Sequence, residues 1–159
     1  MKQITLTNGM KTMVDDGDFN TLNAFTWTYH ESNKNKQGYV VRREGSSRKR
    51  TIKRIFMARQ IMNPPNGFEV DHRDRNKLNN QRYNLRICTP AQNKMNTRKP
   101  SNETGYIGVR KNWDRFSAQI QLNGKVTYLG TFNTAREAAK AYDIAAKAKG
   151  GEFAVLNFS

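Results

Sequence analysis

The stretch VDHRDRNKLNNQRYNLRICTPAQNKMN, residues 70–96, changes pattern three times. FEVD (68–71) and LRICT (85–89) are short apolar-polar runs of strand type, and between them lies a loop rich in Asn, Arg and Asp. Thr89-Pro90 then opens a helix, since Thr can cap it and Pro suits a first position where no amide donor is needed. The outcome is a strand–loop–strand–helix unit. Its loop is too polar to be core and too patterned to be filler.

Upstream, residues 3–62 read mainly as short strands. ITLTN and KTMVDD frame Asn8-Gly9, a strong hairpin signal, and GYVVRRE and RKRTIKRIF frame GSS as a second hairpin candidate. RIFMARQIM reads as a short helix stopped by Pro64-Pro65. Trp27, Tyr29 and Tyr39 are assigned to a core. Downstream, NTRKPSNETG lacks periodicity and reads as a linker. GYIGVRKN, RFSAQIQLN and KVTYLGTF then look like three antiparallel strands, the last two turning at Asn123-Gly124. A helix follows, with Thr134 and Glu137 in capping-box spacing and Gly150-Gly151 at its end. Tyr106, Phe116, Phe132 and Tyr142 are assigned to the core beneath that sheet. The expectation is an α+β chain in two domains, residues 1–96 and 105–159, joined by a linker at 97–104.

The chain has 159 residues, of which 28 are Lys or Arg and 13 Asp or Glu, a net charge of +15. The surplus is uneven. Residues 1–41 are neutral, whereas residues 42–99 hold sixteen basic and four acidic side chains. Such a balance suits a polyanion, because cations that neutralise phosphates release condensed counterions. Arg48, Lys49 and Arg50 are accordingly expected on backbone phosphates. A membrane surface is the weaker partner: no apolar run is long enough to span, and no basic amphipathic helix is evident. Neither a signal peptide nor an obligatory protein partner is evident, so the expected setting is cytoplasmic. The single Cys88 reads as a buried strand residue, and one Cys with two His argues against structural zinc.

The loop admits two readings, a solvated basic surface or a site acting on phosphate. For the second, Asp71 offers a carboxylate and Asn93, in the first turn of the helix, an amide oxygen. These are hard ligands suited to Mg²⁺ or Mn²⁺. His72 belongs to the one side-chain type with an unperturbed pKa of about 6.5, able to take a proton from water at neutral pH. Neighbours in a strand face opposite ways, so the strand is expected to end at this pair.

Residues 68–96 resemble the HNH endonuclease motif of phage and homing type, a ββα-metal unit in which Asp-His closes the first strand, one Asn opens the second and another lies on the helix. The resemblance implies His72 as general base, Asp71 and Asn93 as metal ligands, Asn84 as the residue bracing the histidine loop, and Arg86 and Arg82 toward the DNA backbone. It departs at Ala58-Arg59, where many relatives carry His-Arg.

Residues 104–158 resemble the plant Apetala-two/ethylene-response-factor DNA-binding domain through GVR, YLGTF, EAAKAYDIAA and AVLNF. That resemblance implies a sheet entering the major groove, which is wide enough for strands. By position Arg110, Trp113, Arg115 and Tyr128 match DNA-facing residues, and Gln119 and Gln121 stand where plant proteins carry Glu and Arg. Ile107 and Val126 replace plant arginines. Together the two resemblances imply a metal-dependent endonuclease acting on double-stranded DNA. The alternative is a non-catalytic DNA-binding regulator with a decayed nuclease domain; RNA binding ranks third.

Overall fold

The structure is a computed structural model that describes residues 1–31, 38–45, 51–96, 102–122 and 124–158. Arg48, Lys49, Arg50 and Asn123, and most of the linker, lie outside the described residues. The chain divides into two compact units, Met1–Cys88 and Thr89–Ser159.

In the first unit β1 (Lys2–Thr5) and β2 (Lys11–Val14) pair antiparallel, with Ile4 opposite Thr12. Their turn needs Gly9 at φ +80°, a conformation that costs other residues a Cβ clash. Helix α1 (Asp16–Asn23) follows, although this segment reads as strand-rich in the sequence. Its eight residues include Gly17 and two Asn, poor helix formers, so tertiary contacts must hold it. They do: Leu22 is buried, and its carbonyl accepts the Trp27 indole N–H at 2.8 Å.

Strands β3 (Thr28–Glu31), β4 (Gly38–Glu44) and β5 (Lys53–Phe56) form an antiparallel sheet with β4 central. The expected helix over RIFMARQIM is shorter than its apolar run, because Arg54–Phe56 pair with β4 and only α2 (Met57–Met62) is helical. It ends at Asn63 in the left-handed conformation (φ 44°), just before the prolines. Strands β6 (Glu69–His72) and β7 (Leu85–Cys88) make a separate antiparallel pair. The core gathers Ile4, Leu6, Val14, Leu22, Trp27, Val40, Met57, Ala58, Ile61 and Leu85. Tyr29 packs against it, whereas Tyr39 is exposed and its core assignment fails: it pairs with His30 on the sheet face that Val40 does not share.

In the second unit α3 (Pro90–Asn96) completes a ββα succession begun by β6 and β7. Thr89 Oγ1 accepts the Gln92 N–H at 3.3 Å while Gln92 Oε1 accepts the Thr89 N–H at 2.8 Å, a reciprocal cap. Strands β8 (Val109–Asn112), β9 (Arg115–Leu122) and β10 (Lys125–Phe132) form an antiparallel sheet in that order. Helix α4 (Ala135–Gly150), with its Thr134–Glu137 capping box, covers one face. Ala138, Tyr142 and Ala146 recur every four residues and pack with Ala139 against Val109, Ala118 and Ile120. Gly108 (φ +74°) is required there, since a Cβ would come within 2.1 Å of the Tyr142 ring. Tyr106, Phe116 and Phe132 are partly buried against this core, as their assignment anticipated. Beyond a 3-10 turn at Gly151–Phe153, the tail docks through Asn157, which bonds Ile107 and Asp143.

Candidate functional site

The asparagine loop between β6 and β7 is a self-bonded scaffold. Asp74 Oδ1 accepts the Asn76 N–H at 2.8 Å and Asn76 Oδ1 accepts the Leu78 N–H at 3.1 Å, two short side-chain turns in succession. Asn84 spans the loop: its Oδ1 accepts the Asp74 N–H, and its Nδ2 donates to Asp74 Oδ1 and to the Asn79 carbonyl. Asn79 Nδ2 donates to the other Asp74 oxygen. Burial pushes the Asp74 carboxyl up, but the donors of Asn79, Asn76 and Asn84 outweigh it and hold it below its ordinary value. The loop also docks on β2, with Met13 N–H to the Leu78 carbonyl and Asn80 N–H to the Met13 carbonyl, both 2.8 Å. Asp15, at the start of α1, receives the Arg82 N–H and the Gln81 amide.

His72 is the last residue of β6, and only 2% of its surface is exposed. Its Nε2 lies 3.2 Å from Asn80 Oδ1. The Asn80 amide is oriented by its own donors, Nδ2 to Thr12 Oγ1 at 2.9 Å and to the Lys77 carbonyl at 3.2 Å. Thr12 in turn donates to the Leu78 carbonyl at 2.8 Å. Every step of this relay has a fixed sense, so Asn80 presents an oxygen and His72 Nε2 must carry the proton. Nδ1 is then the basic nitrogen of the neutral ring. Burial, with the charge of Lys77, pulls the His72 pKa down to about 4, so the ring is neutral at pH 7.

Asp71 is 1% exposed and lies opposite Arg86 across the strand pair. Its Oδ2 accepts from Arg86 Nε at 2.9 Å and Nη2 at 2.8 Å. Arg86, expected toward the DNA backbone, is itself buried in this ion pair. Arg82 is exposed and paired with Asp18. His72 faces Leu85 across the same pair of strands, so strand alternation turns Asp71 and His72 to opposite sides of the ribbon. Asn93 lies on α3, in the second unit. Ala58 packs in the core of the first unit. Cys88 is buried on β7, as expected, with burial pushing its thiol up to about 11.

Among the described residues no three His, Cys, Asp or Glu side chains gather as a metal-holding cluster. Mg²⁺ does not require one, because it keeps several waters and takes one or two carboxylates together with substrate phosphates. The Asp71 carboxylate is a hard oxygen donor of the kind such a hydrated ion takes, and in the folded chain its Oδ2 is engaged by Arg86.

In the second unit Arg110, Arg115, Gln119, Gln121, Val126 and Tyr128 share the sheet face away from α4. With its amide oriented by its neighbours, Gln119 accepts from Arg110 Nε at 3.0 Å and Nη2 at 3.2 Å. Trp113 sits at the β8–β9 turn with φ 54° and is 90% exposed, far from any core. A bulky residue in the left-handed region is strained, and a ring so exposed gains little packing to repay the strain.

Residues 62–95 match the family model described as HNH endonuclease. The chain carries an HNH-endonuclease-like domain. It is 38% identical over 93 residues to an uncharacterised HNH endonuclease of Acanthamoeba polyphaga mimivirus, covering 58% of this chain and 49% of that one. It is 49% identical over 61 residues to ethylene-responsive transcription factor 3 of Nicotiana tabacum, covering 36% and 27% of the two chains. It is 50% identical over 56 residues to dehydration-responsive element-binding protein 2A of Arabidopsis thaliana, covering 33% and 17%. The chain thus spans about half the length of the viral relative and less of these two plant proteins. No helix among the described residues is long and apolar enough to cross a membrane.

The HNH-like domain contains residues that sequence reasoning missed. Asn80 lies within the asparagine run but looks no different from its neighbours in sequence, and Thr12 sits 68 residues away from it on a hairpin. Lys77, half-buried with its amine over the Tyr39 ring, was also passed over. The loop's contacts with β2 and with Tyr39 on β4 reveal them.

Proposed function

We propose that the HNH-like domain hydrolyses phosphodiesters of double-stranded DNA, with His72 as general base and with Asp71 and Asn93 as the ligands of Mg²⁺ or Mn²⁺. The second unit, an Apetala-two/ethylene-response-factor-like sheet, supplies target preference through Arg110, Trp113, Arg115, Gln119, Gln121 and Tyr128. The observation that carries this reading is the hold on His72: an imidazole whose Nε2–H is committed to Asn80, which makes Nδ1 the basic nitrogen of the ring. Water that gives its proton to Nδ1 attacks phosphorus as hydroxide. One P–O ester bond breaks as the new one forms, the leaving alkoxide takes up a proton from solvent water, and Nδ1 returns its proton to solvent. A divalent cation, when bound, supplies positive charge against the phosphate and leaving oxygens. Asn84 keeps the loop from sagging by fixing Asp74 and the Asn79 carbonyl. The assignment of Asn93 rests on the family resemblance and the span of the matching family model.

Supercoiled plasmid incubated with the full chain and Mn²⁺ is expected to be nicked, and chelator to stop it. His72→Ala is expected to slow nicking by about 10²–10⁴-fold with binding retained, the usual worth of a general base. Wild-type protein that binds DNA yet stays inert with Mn²⁺, and stays inert as Ala58→His, would establish the regulator instead.

A further inference from the structure

The outer face of the β3–β4–β5 sheet carries an arrangement that folding alone disfavours. Arg43 and Arg54 lie directly opposite each other on neighbouring strands. Like charges in such a cross-strand pair repel, and among the described residues neither has an ion-pair partner. Strand alternation puts Thr28, His30, Tyr39 and Val41 on this same face. Together Arg43, Arg54, His30, Thr28 and Thr26 line a concavity of about 370 Å³ over Val41, and no carboxylate lines it. Arg42, at its rim, is differently employed: its guanidinium stacks on Phe25 at 4.0 Å and pairs with Glu44. The acidic group nearest in sequence is therefore already spent on Arg42, and the Arg43–Arg54 pair is left to an external anion.

The face leads toward His72. His30 pairs across the strands with Tyr39, whose ring packs on Phe56 and lies 5.4 Å from Lys77 Nζ, on the loop that follows β6. Four residues of strand separate Tyr39 from Arg43, about 13 Å. This is a few base steps along a nucleic-acid strand, whose axial rise is about 3.4 Å per nucleotide.

We propose that the concavity between Arg43 and Arg54 is a phosphate-binding site that grips the backbone of a DNA duplex along the sheet face that leads toward His72. The two guanidiniums supply charge and paired donors, while His30 and the two threonines add side-chain donors on the flank. Because every duplex presents phosphates, the grip is blind to sequence. The proposal rests on the DNA-cutting reading for its geometry, yet binding alone tests it.

The experiment uses the full chain with Arg43→Gln and Arg54→Gln together, assayed on specific and random duplexes over a salt series. The variant is expected to bind both duplexes more weakly by a similar factor. The plot of log K against log salt is expected to flatten by about 1.8, at about 0.9 per phosphate contact. Its melting temperature is expected to match or exceed wild type, since a repulsive pair has been removed. The Arg43→Lys, Arg54→Lys variant should keep the wild-type slope. An unchanged slope in the Gln variant overturns the proposal whether or not the protein cuts. So does a loss of binding explained by a lower melting temperature. A slope change found only with RNA of the same sequence also overturns it, as does inorganic phosphate stabilising the wild type while duplex affinity stays unchanged in the variant. A retained grip in a protein that fails to nick plasmid leaves this site standing and removes the nuclease reading alone.

Discussion

The buried Asp71–Arg86 pair permits a test of the site that does not depend on catalysis. Both side chains are below one tenth exposed, and the arginine donates twice to a single carboxylate oxygen. Replacing Arg86 by Met removes the guanidinium while keeping most of its volume, and leaves a carboxylate in a nearly dry strand pair. Breaking such a pair costs on the order of 3–5 kcal/mol, because the surviving charge is poorly solvated and has lost its bidentate partner. In a unit of 88 residues, Met1–Cys88, this is a fall of roughly 15–30 °C in melting temperature. Lys77, whose amine feels Asp71, lowers the loss toward the smaller figure. The double variant Asp71→Leu, Arg86→Met removes both charges and is expected to recover to within about 1 kcal/mol of wild type, since apolar replacements of buried pairs are often neutral. Urea unfolding followed by the fluorescence of Trp27 measures wild type, Arg86→Met, Asp71→Leu and the double variant; Trp113 is already exposed and contributes little change. If Asp71 is a cation ligand, Mn²⁺ at about a hundred times its dissociation constant should return roughly 2.7 kcal/mol to Arg86→Met and nothing to the double variant. Additive losses in the two single changes and the double would refute the pair, and equal Mn²⁺ shifts in both variants would refute Asp71 as the ligand.

Other expectations follow from single environments. Cys88, buried and with its thiol pushed up to about 11, should resist a thiol-specific disulfide reagent at pH 8 and react fully once the chain is denatured; rapid labelling of native protein would place it at the surface. Gly108→Ala should cost about 3 kcal/mol or more, from a Cβ driven into Tyr142 and an unfavourable φ, and should unfold the second unit while the Trp27 signal stays native. A folded second unit in that variant would mean that Tyr142 yields. Asn80→Leu should release His72 Nε2 and mix the ring tautomers, read directly from the nitrogen-15 shifts of His72, with nicking slowed in the turnover number more than in KM. An unaltered tautomer would remove Asn80 from the argument.

What was legible in the sequence had local causes. Asn8-Gly9 determines its hairpin, Thr134 and Glu137 cap their helix, and the loop between β6 and β7 stands out because four asparagines and a Thr-Pro punctuate it. What was not legible depends on register and distance. Helix α1 contains a glycine and is held by Trp27 and by the contacts of Asp15 with Gln81 and Arg82, more than sixty positions away. The side of the sheet on which Tyr39 falls depends on the β3–β4 pairing, where a one-residue slip would turn it inward. Arg86 reads as a surface cation until β7 is paired with β6, which sets it opposite Asp71. The Asn80–Thr12 contact joins residues that no sequence period connects.

The loop's amides also bear on why this site is built from asparagine in so basic a stretch. Between residues 42 and 99 the surplus of positive charge is twelve, and on the proposed reading a proton acceptor there must stay neutral while phosphates are drawn in. A carboxylate in place of Asn80 would hold His72 as an imidazolium in a buried ion pair, leaving no basic nitrogen. A cation there would repel Lys77 and compete for the phosphate. An amide offers an acceptor to His72 and donors to Thr12 and Lys77 without charge, which fixes the ring and leaves the field to the arginines. The one carboxylate deep in the strand pair is matched by its own guanidinium, and the uncompensated arginines lie on the outer sheet face. Charge is thus paired where the backbone must be held and unpaired where a polyanion would lie.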